Sequence, residues 1–196
     1  MPTQLKYKLD VKRGNVNIFS VAVHSWIIQD GNYGDFAVGD EAEFALEFSE
    51  NTLRPSASKE TLARHLGHGV YEVCAQVLFA DAKAWVIDFG LCAFREATPP
   101  EFAVPGTWVE GKLLVGIDPY FYMEYLYKLP GMPYLFYNWH VASIMRNDTP
   151  WLVEVNANGG KTFSRDEAKE TWNNVARTEA WNHDTSYVLT VERRDV

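Results

Sequence analysis

Val70-Tyr71-Glu72-Val73-Cys74-Ala75-Gln76-Val77-Leu78-Phe79-Ala80, followed by Lys83-Ala84-Trp85-Val86-Ile87-Asp88-Phe89-Gly90-Leu91, is the stretch that decides the fold. Tyr71, Val73, Ala75, Val77 and Phe79 alternate with other residues, as do Trp85, Ile87, Phe89 and Leu91. Successive strand side chains point to opposite faces, so a period of two marks half-buried strands. Two strands are expected, near 70–80 and 83–95, with Asp81-Ala82 as a hairpin turn.

Similar signals lie on both sides. Leu5, Tyr7, Leu9 and Val11 alternate, and residues 16–28 read as one long buried strand. Phe44, Leu46 and Phe48 give a strand with one wet face, Trp108–Ile117 another with glycines at 111 and 116. Residues 134–146, 151–155 and 187–191 complete the set. Helices are expected at 58–66, from Asp118 to before Pro130-Gly131, and from the Ser164…Glu167 capping box to about Asn173. Strands outnumber helices and do not alternate with them regularly. That predicts a mainly β chain, an antiparallel barrel or sandwich carrying two or three short helices, with an open α+β sheet as the alternative.

A chain of 196 residues fits a single domain, 1–196, with enough core to fold without disulfides or metal. The net charge is −8, and residues 1–98 and 99–196 each carry 9 basic and 13 acidic side chains. Phosphate-backbone binding needs clustered Lys and Arg, so no nucleic-acid partner is expected. No apolar run reaches membrane-spanning length and the first residues lack a signal-peptide core, which predicts a cytoplasmic protein with no membrane partner. Cys74 and Cys92 fall out of register across the hairpin and are expected as two free thiols.

Three motifs suggest chemistry without completing it. Gly160-Lys161-Thr162 lacks the first glycine of a phosphate loop, with Val155 in its place. His65 and His68 supply two imidazoles where a metal site wants three or four ligands. Asp30–Glu41 has the terminal glutamate of a calcium loop, but Asp35 at the position that needs glycine. Neither a metal nor another cofactor is therefore expected.

The unusual segment is 118–140. Nine of the 28 aromatic residues, six of them tyrosines, fall between Tyr120 and Trp139. As core, they would plug a barrel end; as a contact surface, Tyr122, Tyr125 and Trp139 would stack on a ligand, a protein partner or a second copy of the chain. The first expectation is a non-catalytic binding module using this segment. The alternative is an enzyme or carrier with a pocket near Asn138 and His140. There His140 would act as the acid–base residue, with Glu124 or Asp118 as its partner.

Overall fold

The computed structural model describes residues 18–50, 52–156 and 158–194. The strand expected at residues 5–11 lies outside them. The elements run β1 (Ile18–His24), α1 (Ser25–Gln29), β2 (Glu41–Phe44), β3 (Leu46–Glu50), β4 (Arg54–Pro55), β5 (Leu62–Gly67), β6 (Val70–Ala80), β7 (Trp85–Asp88), β8 (Cys92–Arg95) and β9 (Trp108–Ile117). After these come α2 (Phe121–Glu124), β10 (Tyr137–Asn147), β11 (Trp151–Val155), β12 (Lys161–Arg165), β13 (Trp172–Val175) and β14 (Ser186–Arg193). The chain is mainly β, and the two α-helices among the described residues have only 5 and 4 residues.

Five strands close on themselves. β9 pairs with β3, β3 with β8, β8 with β7, β7 with β6, and β6 returns to β9. The pairings are antiparallel except β3–β8, which meet in parallel at Glu47 and Phe94 alone. From β9 the sheet continues outward through β1, β14 and β10, whose far edge carries β2 at one end and β13 at the other. β11 and β12 form a separate two-stranded ribbon that leaves Trp151, Val153, Val155 and Phe163 exposed. Arg165 ties its base to the body, donating to the Thr149 carbonyl and the Thr185 hydroxyl.

β7 shows how the core is laid out. Trp85, Val86 and Ile87 are all fully enclosed. Trp85 and Ile87 join the main cluster with Phe48, Leu113 and Val73, whereas Val86 belongs to a second cluster with Phe94, Tyr122, Leu126 and Leu135. A strand covered on both faces loses the alternation of a wet strand. The second cluster is supplied by α2 and the chain after it, so the aromatic segment covers the outside of β7 and β8. It does not plug the barrel end.

Several sequence expectations give way to tertiary pairing. Residues 58–66 were expected as a helix, yet Leu62–Gly67 is a strand paired with β6, Ala63 opposite Val73. The capping-box helix from Ser164 is also absent: Ser164 sits in β12 opposite Leu152, and only Glu167–Lys169 makes a 3-10 turn. The long strand over 16–28 ends at His24, whose ring accepts from the Trp26 amide and so starts α1. Gly111 takes φ +150, and a Cβ there would lie 2.4 Å from the Thr52 carbonyl oxygen. That contact explains a glycine in mid-strand.

Cys74 stands opposite Leu62 and Glu110, and Cys92 opposite Asp88, so the thiols do not face each other and both are free. Burial pushes the Cys92 thiol up to about 11, with Asp88 adding to the shift. Thiol counting without reductant should therefore find two groups per chain in denaturant, and slow labelling of the native protein at mildly alkaline pH. A count of zero in denaturant would contradict this arrangement.

Candidate functional site

The aromatic segment is built around Asp118. Its backbone amide donates to the Ala45 carbonyl, and its carboxylate accepts from the Phe121 amide (2.9 Å) and the Tyr122 amide (3.1 Å). Asp118 thus caps α2, as the Asp-Pro pair suggests. Tyr120 meanwhile adopts a left-handed φ of +86 to turn the chain back over β7. The expected helix from 118 to 130 shrinks to one turn of α-helix and a 3-10 turn at Leu126–Lys128.

The tyrosine hydroxyls sort the segment into core and surface. Tyr122 is buried; its hydroxyl donates to the Pro133 carbonyl and accepts from the Leu135 amide. Tyr137 accepts from the Cys92 amide and packs in the main core. Trp139 is fully enclosed, stacks on Phe44 at 5.6 Å, and donates its indole N–H to the Phe44 carbonyl. Trp139 is therefore a core residue and presents no face to a partner, which corrects the expectation that it stacks on one. Tyr125 is half-buried against Phe121 and the second cluster.

What remains outside is a groove of about 440 Å³ lined by Glu43, Tyr122, Met123, Tyr127, Met132, Tyr134 and Phe136. Tyr134 is 74% exposed, Tyr127 48% and Met123 45%. Of the residues picked from sequence as contacts, only Tyr122 lines it. Asn138 stands beside it, opposite Glu43 in the β2–β10 register. Sequence reasoning counted Tyr127, Tyr134 and Phe136 among the aromatics but did not single them out, and it missed Met123, Met132 and Glu43 altogether. Met123, and Met132 just after Pro130-Gly131, were the available signal.

The acid–base constellation is not assembled. His140 lies on β10 with Nδ1 2.9 Å from Glu41 Oε1, and Glu41 also approaches Arg194. Asp118 is enclosed and committed to α2, and among the described residues no hydrogen bond or ion pair joins His140 to Asp118 or Glu124. Neither the groove nor the cleft described next is lined by Asn138 or His140.

A second opening, about 250 Å³, lies where β1 splays from β9 and β3. Glu47 and Arg95 meet in it at 3.2 Å. Desolvation raises the Glu47 carboxyl despite Arg95. Asp118, just behind Ile117 and Pro119 of the cleft wall, is pushed up to about 7 by burial, with the Glu47 charge adding and the Tyr122, Phe121 and Tyr120 amides opposing. Among the described residues no group of three or more His, Cys, Asp or Glu side chains is placed to hold a metal ion, and no helix is long and apolar enough to cross a membrane.

Comparison of the chain with protein-family models, with curated proteins and with solved structures gave no match.

Proposed function

We propose that this chain is a non-catalytic binding module whose groove over α2 receives an apolar segment of a protein partner. The observation carrying this reading is the contrast inside one short segment. Tyr122 is fixed by two backbone hydrogen bonds, while Tyr134, Tyr127 and Met123 stay in water on that rigid base. Exposed tyrosines offer large contact area at small entropic cost, and methionines adapt to the surface they meet. Glu43 at the rim and the net charge of −8 favour a segment carrying Lys or Arg. Two unpaired thiols support a reducing compartment such as the cytoplasm.

The test is the double variant Tyr127→Ala/Tyr134→Ala. Both side chains are exposed, so stability should change by no more than about 0.5 kcal/mol per site. A partner captured from native extract by the unaltered protein should be lost by the variant, as expected when contact aromatics are truncated. Equal capture by both proteins would end the reading.

A further inference from the structure

The chain enters β1 from the side of the groove. Ile18 stands opposite Glu192, Glu192 opposite His140, and His140 opposite Glu41, so these four residues share one face of the outer sheet. Glu43 follows on that face, two residues beyond Glu41. All three pairings are antiparallel, so the backbone reaches Ile18 from the Tyr137 end of β10, where Glu43 and Phe136 line the groove. With strands about 4.8 Å apart and a rise of about 3.3 Å per residue, Glu43 lies roughly 16 Å from Ile18. Val11 is close enough to reach it, since the chain from Val11 to Ile18 spans up to about 23 Å. Charge favours the same match. Before Ile18 stand Lys6, Lys8, Lys12 and Arg13 against Asp10 alone, although the whole chain carries −8. Along the path, Glu192 and Glu41 share Arg194, at 3.5 and 3.9 Å, and Glu41 also holds the His140 ring. Arg193 is on the other face, over the Tyr137 ring. Lys128 and Glu124, beside Tyr127 and Met123 in the chain, offset each other, which leaves Glu43 in the groove without a cation among the described residues.

We propose, resting on the partner role of the groove, that residues 5–11 of this chain occupy it in the resting protein and that a partner binds by displacing them. Leu5, Tyr7, Leu9 and Val11 supply an apolar side chain at every second position, with Lys6 and Lys8 between them. That is the apolar, basic character the groove favours. A short tether holds such a segment at an effective concentration near millimolar, so a free ligand making the same contacts competes poorly below that level. The groove then yields only to a partner that binds more tightly than its own segment.

The first probe is a nitroxide attached to Thr3→Cys in the full chain. It should broaden the NMR methyl signals of Met123 and Met132 and spare Met145, near the other end of β10. Adding Tyr127→Ala/Tyr134→Ala should remove the broadening. The second probe is a synthetic peptide of residues 1–17. It should bind Leu5→Ser/Leu9→Ser at least about tenfold more tightly than the unaltered chain, whose groove is filled. Should Leu5→Ser/Leu9→Ser fail to fold, the methyl signals decide alone. No broadening, broadening that survives Tyr127→Ala/Tyr134→Ala, or equal peptide affinity for the two chains would overturn the proposal. So would broadening of isotope-labelled, nitroxide-free protein mixed with the nitroxide protein, which would place the segment on a second copy. Capture of a partner through Tyr127 and Tyr134 without any broadening would leave the groove a partner site and end the claim for residues 5–11. Failure to capture a partner leaves the methyl result unchanged, so the two readings fail separately.

Discussion

Replacing Trp139 with alanine should cost about 3–5 kcal/mol of stability, the usual loss for a large aromatic removed from a packed interior. Trp139 is fully buried, stacks on Phe44, and meets Phe19 and Tyr137 edge-on. Its indole N–H also donates to the Phe44 carbonyl, a hydrogen bond the alanine variant loses. For a chain of this size the loss corresponds to a melting point lower by roughly 10 °C. Trp181→Ala, at a residue 70% exposed, is the control and should stay within about 0.5 kcal/mol. Urea unfolding of the two variants measures both. A Trp139→Ala cost below about 1 kcal/mol would mean that this residue is not core.

The second large effect is on pH dependence. Asp118 has its folded value pushed up to about 7, against an unfolded value near 3.9. Between those values the native chain holds a proton that the unfolded chain has released. Stability therefore falls as pH rises from about 4 to about 7, by up to about 1.4 kcal/mol per pH unit and a few kcal/mol in all. The raised Glu47 carboxyl adds to the same slope. Asp118→Asn removes the titration, so its stability should be flatter over that window even though its amide caps α2 less well. Chemical denaturation at pH 4, 5.5 and 7 compares the slopes. Identical slopes in the two proteins would show that Asp118 ionises freely.

These two residues also mark how much the sequence discloses. The alternation in 70–80 and 108–117 reads as strands because each pays its burial on a definite face, and the structure pairs these two strands directly. Asp118 reads as a cap because Asp-Pro has a local meaning. Trp139 does not read as core: its neighbours Asn138 and His140 are polar, but so is one face of any half-buried strand, and only the Phe44 and Phe19 contacts decide it. The segments 58–66 and 164–173 mislead for a related reason. Their local signals favour helix, while the partners that override them, Val73 for Ala63 and Leu152 for Ser164, are 10 and 12 residues away. Glu47 and Arg95, 48 residues apart, leave no trace in sequence at all.

The order in which the chain is made adds a further consequence. β1, at residues 18–24, lies between β9 and β14, and all seven of its residues pair with β14. It is among the first described segments to leave a ribosome, yet β14, its full-length partner from Ile18–Glu192 to His24–Ser186, is the last. Through most of synthesis Phe19, Val21 and Val23 have no strand beside them on that edge. The strands of the barrel, β3, β6, β7, β8 and β9, are all made by Ile117, so their pairings can form while the chain that covers β7 and β8 is still to come. The outer sheet must wait for β14, and until then β1 keeps an unpaired edge of the kind that makes partly folded chains prone to aggregate.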